Sequence, residues 1–349
     1  MAAVVCVSAF LPAFASSALP SGDVNGDGLL NASDYYMLKR YVLKTFALSD
    51  EAASRGDMDG NGLLNMRDYL LLKRAVLPPA PPEPVITEGL PLERTTGVFT
   101  NLPAGKADEL TAILSGAEGV SVYYCALDGS DYYGFNTAGR HRTASTAKLP
   151  YCHWLCLRAD RGEIDMEERL VYDASRLRDG SAILEKAKDG QTFSVRELMD
   201  YSIRFSDNTA FRMLVSRFGT ARYKEWLRPM GVTFVPERYA LGECDAADMG
   251  ILLYEFVRYR AEGSANADFL WESGTHSAYG GAVVNAFRNC TVFHKFGALF
   301  PPSNPTYNDV AVVMAKKPFL LVILTDFLPS DGEKTALFRK ICGCVKGWQ

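Results

Sequence analysis

The stretch Thr143-Ala144-Ser145-Thr146-Ala147-Lys148-Leu149-Pro150 decides how the larger part of this chain is read. A serine hydroxyl is a weak nucleophile and needs a base beside it. Ser145 and Lys148 are three residues apart and share a face if the stretch is helical. A lysine can act as that base once burial and a neighbouring cation lower its pKa. A helix start at Ser145 would also aim backbone N–H groups at negative charge developing on an acyl oxygen. An S-x-x-K pattern alone is common by chance. Its weight comes from two companions in order: Ser206-Asp207-Asn208, 61 residues after Ser145, and Lys295-Phe296-Gly297, 89 residues further on. Lys188-Asp189-Gly190 is a decoy K-x-G, placed before the S-D-N and in a turn.

The surroundings of these motifs predict their framework. A helix is expected over about 104–116, then a strand Val120–Leu127, a turn at Asp128-Gly129 and a second strand near Tyr132–Phe135. A mostly helical middle runs from Ser145 to about Arg260. Strand signals follow at Val292–Leu299, Asp309–Ala315 and Phe319–Thr325, then a last helix. Strands at both ends of a helical insert predict a mixed α+β domain.

The first motif, the run from Leu198 to Asn208 continuing through Thr209-Ala210, and His294-Lys295-Phe296-Gly297 closely resemble class A β-lactamases and the related penicillin-binding proteins. The resemblance covers residues 97–349 and implies an antiparallel sheet with helices. It further implies that Ser145 is the acylated nucleophile and Lys148 its base or proton relay. Ser206 would pass a proton to the leaving group. Asn208 would hold a substrate amide and buttress Lys148, and Lys295 would attract a substrate carboxylate. The N–H groups of Ser145 and Ala298, beside Gly297, would form the oxyanion hole, and Asp207 would be structural. No cofactor is expected in this domain.

Two departures bear on substrate. The family carries Thr or Ser between the Lys and Gly of its third motif, where its hydroxyl binds the substrate carboxylate; Phe296 has none. The class A Glu-x-x-Leu-Asn loop, whose Glu activates the deacylating water, has no counterpart, and Gly231 to Asp248 is too short to hold it. Glu237 and Glu243 are the nearest carboxylates, and both read as surface residues. A peptide, ester or peptidoglycan-type substrate is therefore expected rather than efficient β-lactam hydrolysis. An inactive binding or structural module on the same fold is the alternative.

The N-terminal region repeats itself at an offset of 34 residues: Gly22-Asp23, Gly28-Leu29-Leu30-Asn31, Asp34-Tyr35 and Leu38-Lys39-Arg40 recur as Gly56-Asp57, Gly62-Leu63-Leu64-Asn65, Asp68-Tyr69 and Leu72-Lys73-Arg74. Asp23, Asn25, Asp27, Asn31 and Asp34 stand at loop positions 1, 3, 5, 9 and 12, as do Asp57, Asp59, Asn61, Asn65 and Asp68. Hard oxygens at this spacing converge on one cation, so two calcium ions are expected, and packed carboxylates would make folding depend on them. Each loop leads into a helix with apolar residues at helical spacing, and no entering helix is expected.

This all-α pair of loop–helix repeats, over residues 21–77, resembles a type I dockerin. The resemblance implies calcium-dependent docking to a cohesin module of a scaffoldin. The family's contact positions map to Ala32-Ser33 and Met66-Arg67, with Lys39-Arg40 and Lys73-Arg74. Those Lys-Arg pairs serve equally well as solvated helix faces. The unlike pairs Ala32-Ser33 and Met66-Arg67 suggest two inequivalent docking orientations.

The whole chain is thus expected to be multidomain: a segment 1–15, the dockerin, a stiff proline-rich linker over 78–90, and the hydrolase domain over 91–349. Residues 1–15 are apolar and end in Ala13-Phe14-Ala15 before Ser16-Ser17, the pattern of a signal peptide, although its basic start is missing. Secretion and scaffoldin (cellulosome) association are the expected localisation. Removing Cys6 with that segment leaves seven cysteines, and mostly buried free thiols are expected. Four scattered histidines argue against a transition-metal site. A composition of 48% apolar and 22% charged residues excludes disorder of the whole chain. The net charge of −4 without like-charge blocks gives no sign of nucleic acid or an anionic membrane, so neither is expected as a partner, and no apolar run is long enough to span a bilayer.

Overall fold

The computed structural model describes residues 22–42, 46–76, 86–300, 304–328 and 332–349. The expected signal segment, Leu77 and most of the linker lie outside these residues. The chain divides into two compact units between Glu83 and Pro84.

The first unit contains α1 (Ala32–Val42), α2 (Asp50–Gly56) and α3 (Met66–Val76). Leu38 and Leu72, equivalent residues of the two repeats, are fully buried with Val24 and Ala52. Tyr35 and Tyr69 are likewise equivalent; their rings stack at 5.1 Å and their hydroxyls lie 2.7 Å apart. Gly22 is held at φ 91°, where an added Cβ would strike Leu30 and Leu72 at 2.8 Å. One expectation is corrected. The second loop does have an entering helix, α2, capped by Ser49, whose hydroxyl accepts from the Ala52 N–H. The sequence signal was weak because seven residues leave little room for periodicity.

The second unit opens with β1 (Val98–Thr100), α4 (Ala104–Ser115), β2 (Val120–Ala126), β3 (Tyr132–Phe135) and β4 (His141–Arg142). A single 3₁₀ turn (Ala144–Ala147) leads into α5 (Lys148–Asp160). Then come β5 (Arg169–Val171), β6 (Thr192–Ser194), α6 (Val195–Arg204), α7 (Asn208–Phe218), α8 (Ala221–Leu227), β7 (Glu243–Cys244), α9 (Ala246–Ala261), α10 (Ala265–Thr275) and α11 (Ala282–Ala286). The chain closes with β8 (Thr291–Leu299), β9 (Thr306–Met314), β10 (Phe319–Thr325) and α12 (Gly332–Gly347).

Six strands form one antiparallel sheet in the order β1-β3-β2-β10-β9-β8. Strands β2 and β10 are buried along their whole length, which explains why they read as unbroken apolar runs. Their side chains still sort by the two-residue period of a strand. Val122, Tyr124, Leu321 and Ile323 face the layer of α4, α11 and α12. Tyr123, Cys125, Leu320 and Val322 face the layer of α5, α6, α7 and α9. The second layer is the expected insert, now seen to contain two small ribbons, β4 with β7 and β5 with β6. Strand β8 lies at the sheet edge. The seven cysteines from Cys125 to Cys344 are free, and all but Cys290 are buried.

Candidate active site

Ser145 does not sit inside an α-helix. It occupies the 3₁₀ turn, and α5 begins only at Lys148. Pro150 explains the late start, because it has no N–H to donate to the Thr146 carbonyl. Ser145 and Lys148 still face the same way, since residues three apart eclipse in a 3₁₀ turn. Ala144 enters the turn at φ 46°. The Thr146 hydroxyl donates to the Thr143 carbonyl at 2.6 Å, and Asn308 Nδ2 on β9 donates to the Arg142 carbonyl at 2.8 Å. Asn308 also accepts the Thr325 N–H through Oδ1 at 3.0 Å, so the turn is tied to the sheet. Asn308 carried no motif and was invisible in the sequence.

The second motif meets this turn between α6 and α7. Lys148 Nζ donates to the Ser206 carbonyl at 2.5 Å, to Asn208 Oδ1 at 2.7 Å and to Ser206 Oγ at 3.4 Å. Ser206 adopts φ 52°, a left-handed conformation that turns both its carbonyl and its hydroxyl toward ammonium groups. Among the described residues no hydrogen bond joins Lys148 Nζ to Ser145 Oγ. Asn208 Nδ2 donates to the Asp179 carbonyl at 2.7 Å, and its second N–H remains for a ligand. Asp207 has the expected structural role. Its carboxylate caps α7 through the Ala210 N–H at 2.8 Å and accepts the Ile183 and Leu184 N–H groups at 3.0 Å.

Lys295 arrives from β8. Its Nζ donates to Ser206 Oγ and to the Phe296 carbonyl, both at 2.9 Å. Ser206 Oγ therefore lies between two ammonium groups. Burial pushes Lys148 down to about 7, against the opposing pull of Asp207 and Cys152. Lys295 is pushed well below its ordinary value by burial first and by the charge of Lys148 second. Cys152, one helical turn after Lys148, is a neighbour that the motifs do not reveal.

Gly297 brings the edge strand against the nucleophile turn. A Cβ there would lie 2.7 Å from the Ser145 nitrogen and 2.9 Å from that of Thr146. Glycine thus leaves the space over these N–H groups open, and Ala298 follows it along the same strand. Phe296 presents a ring where the family has a hydroxyl. Lys295 Nζ lies 4.5 Å from the ring centroid, and the Tyr279 ring lies 5.1 Å away. His294 Nδ1 is 3.0 Å from Asp309 Oδ1, and its Nε2 is 3.1 Å from the Tyr279 carbonyl.

Glu237 and Glu243 are both exposed, as expected of surface residues. The buried carboxylates of the short connection are committed to structure. Arg94 pairs with Asp245 at 3.1 Å and Asp248 at 2.8 Å and donates to the Gly231 carbonyl. Asp248 also accepts the Thr233 N–H and hydroxyl.

In the first unit the two loops repeat one set of carboxylate-to-backbone contacts, and the carboxylates of the second converge. Asp23 accepts the Gly26 and Gly28 N–H groups at 2.7 and 2.8 Å, and Asp34 accepts those of Asn25 and Asn31 at 3.0 and 2.9 Å. Asp57 and Asp68 repeat the pattern with Gly62 at 2.7 Å and Asn65 at 2.9 Å. Carboxylate oxygens of Asp57, Asp59 and Asp68 lie within 4.8 Å of one another. Asp23, Asp34 and Asp68 are fully buried. Asn25, Asp27 and Asn31 of the first loop accept the N–H groups of Asp27, Leu29 and Ser33, and Asn61 and Asn65 of the second accept those of Leu63 and Arg67. The donor set fits calcium, which prefers six to eight oxygens.

The expected docking residues are less uniform. Ser33 and Met66 are exposed, whereas Lys39 and Lys73 are half-buried. Arg67 reaches back to Asp59 at 3.1 Å, and Arg40 packs over the Phe46 ring at 4.8 Å. Ala32 opens α1 and Arg74 lies in α3.

A lysine base works only without its proton. Acylation of Ser145 should therefore rise with pH through a midpoint near 7 and level off above it. Lys148→Arg, charged at every pH, should abolish the rise and slow acylation at least about a hundredfold. A stopped-flow profile with an activated ester checks this.

Solved structures share the fold of the second unit. A reconstructed ancestral class A β-lactamase superposes with a TM-score of 0.61 at 21% identity, covering 70% of this chain and 100% of its own. A β-lactamase from Chitinophaga pinensis gives 0.63 at 18%, covering 70% and 99%. A variant of PBP-A, solved as an acyl-enzyme with penicillin G, gives 0.62 at 17%, covering 71% and 98%. In sequence, β-lactamase 3 of Bacillus cereus is 28% identical over 186 residues, 48% of this chain and 57% of the relative, so the chain spans little more than half of it. The type I dockerin domain model matches residues 21–77, and such domains bind calcium and imply a cohesin partner and a cellulosomal, extracellular setting. No helix among the described residues is long and apolar enough to cross a membrane. With the β-lactamase enzyme family model matching residues 106–345, the chain belongs to that family and carries a class A β-lactamase-like domain joined to a type I dockerin.

Proposed function

We propose that the protein is a secreted, scaffoldin-associated serine hydrolase that works through an acyl-enzyme on Ser145. Its substrate is a peptide, ester or peptidoglycan-type acyl donor. The observation that carries this reading is the buried Lys148 ammonium, held by Ser206 and Asn208 and pushed to about 7 beside the nucleophile turn. Ser145 Oγ attacks the acyl carbon and its proton passes to Lys148 Nζ. The N–H groups of Ser145 and Ala298 take the oxyanion. As the bond to the leaving group breaks, Ser206 gives its proton to the departing atom and regains one from a neighbouring lysine. Water then releases the acyl group. Glu237 and Glu243 are exposed and Asp245 and Asp248 pair with Arg94, which supports reading this last step as slow.

Intact-protein mass after incubation with a penicillin and with an activated ester tests the reading. Wild type should gain the acyl mass with at least one probe and hold it for minutes or longer, and Ser145→Ala should gain none. A second reading, a binding module without turnover, rests on Phe296 filling the place of the carboxylate-binding hydroxyl. Absence of adduct from both probes would favour it.

Phe296 should set the choice between donors. Phe296→Thr restores a hydroxyl beside Lys295 and should speed acylation by the penicillin, with its carboxylate, by about tenfold or more relative to a neutral ester. The ratio of the two acylation rates is the measurement.

The dockerin is read as holding two calcium ions, one in each loop, and docking a cohesin through its Ala32-Ser33 and Met66-Arg67 faces. Chelation should melt this unit selectively and abolish cohesin binding. Calorimetry with a cohesin panel should show binding that calcium restores, while acylation of Ser145 is unaffected by the chelator.

A further inference from the structure

Two aromatic rings stand beside Lys295, and one of them, Tyr279, belongs to none of the three motifs. Lys295 Nζ is 2.9 Å from Ser206 Oγ, the group read above as protonating the departing atom. The Phe296 ring centroid is 4.5 Å from the same Nζ. The Tyr279 ring centroid is 5.1 Å from that of Phe296, with the rings inclined at 57°. The pair therefore flanks the leaving-group side of the acyl transfer.

Tyr279 is braced although it lies in the connection from α10 to α11. Its carbonyl accepts from His294 Nε2 on β8 at 3.1 Å and from Ser277 Oγ at 3.2 Å. His294 is itself held by Asp309 of β9 through Nδ1 at 3.0 Å. The next residue back, Ala278, donates its N–H to the Arg204 carbonyl at 2.8 Å, two residues before Ser206. Among the described residues the hydrogen bonds of Tyr279 all run through its backbone. The residue is 41% exposed, so a fixed ring keeps apolar area in water that a ligand can cover.

Lys295 is poorly equipped to hold an anion here. It gives N–H groups to Ser206 Oγ and to the Phe296 carbonyl, both at 2.9 Å. Burial and the charge of Lys148 push it well below its ordinary value, which weakens its pull on a carboxylate. Position 296 offers no hydroxyl to make up the loss. We propose that Tyr279 and Phe296 form a leaving-group subsite that selects a neutral acyl donor whose departing alcohol, thiol or amine carries an apolar group of aromatic size. This rests on the acyl-enzyme reading of Ser145 and narrows its substrate to neutral esters and amides. The acyl carbon bonds to Ser145 Oγ as its bond to the leaving atom breaks. The Ser145 proton goes to Lys148 Nζ, and the leaving atom departs with the Ser206 proton, which a neighbouring lysine replaces.

The test uses the full chain, calcium-loaded, and three thioesters of hippuric acid whose leaving thiols are methanethiol, benzyl mercaptan and 4-carboxybenzyl mercaptan. Acylation of Ser145 is followed by intact-protein mass, and each rate is divided by the thioester's own alkaline hydrolysis rate. At low substrate the benzyl thioester should acylate wild type about tenfold faster than the methyl one, and the carboxybenzyl thioester no faster than the benzyl. Tyr279→Ala should cut the benzyl-to-methyl ratio about fivefold, chiefly by raising the half-saturating concentration, and Tyr279→Phe should keep it. Equal benzyl and methyl rates, a carboxybenzyl thioester faster than the benzyl, or a ratio unchanged in Tyr279→Ala or lost equally in Tyr279→Phe would overturn the subsite and leave the acyl-enzyme reading standing. No Ser145 adduct from any of the three would overturn both.

Discussion

Two ammonium groups, those of Lys148 and Lys295, are buried within reach of one hydroxyl, Ser206 Oγ. Removing a charge from water costs several kcal/mol even after a protein relaxes around it. Two like charges in one cavity raise that cost. The fold meets it in two ways. It supplies acceptors: the Ser206 carbonyl, Asn208 Oδ1 and the Phe296 carbonyl. It also makes loss of a proton cheap, which is the physical content of both lowered pKa values. The reactive property, a lysine able to accept a proton near neutral pH, is thus the same fact as the burial.

The three residues of the second motif divide the labour that this burial requires. Ser206 bends the backbone so that its carbonyl can receive an ammonium. Among the described residues Asp207 makes no hydrogen bond to Lys148; it locks the bend by capping α7 and holding the Ile183-Leu184 backbone. Asn208 receives the lysine on one side and anchors to Asp179 on the other. A buried acceptor placed without such bracing would drift from an ammonium that needs it at 2.7 Å. The sheet supplies the remaining wall. Only at an edge could β8 present Lys295 to the insert and pass backbone, through Gly297, close to the Ser145 nitrogen.

The readable part of this arrangement was the part written as local pattern. β3 and β10 have the expected bounds, and β2 ends one residue early at Ala126, because alternation and buried apolar runs are local. The three motifs announced the residues that meet in space. Asn308 and Cys152 could not be read, since nothing in their neighbourhood marks them and only the assembled sheet and helix bring them to the site. The short strand β1 was missed because three residues carry no period. The helix start expected at Ser145 failed on a single atom, the hydrogen that Pro150 lacks.

The first unit solves the opposite electrostatic problem. It buries Asp23, Asp34 and Asp68, and backbone N–H groups take up several of their oxygens. Those N–H contacts leave lone pairs free on the same oxygens, and hard oxygens at this spacing suit a divalent cation. Arg67 reaches Asp59 from a side chain that is itself 75% exposed. Type I dockerin domains bind calcium, and the clustered oxygens of Asp57, Asp59 and Asp68 suit such an ion. One chain thus buries charged groups in two ways: lysines whose pKa values burial pulls down, and loop carboxylates met by backbone N–H groups at a spacing that suits a hard cation.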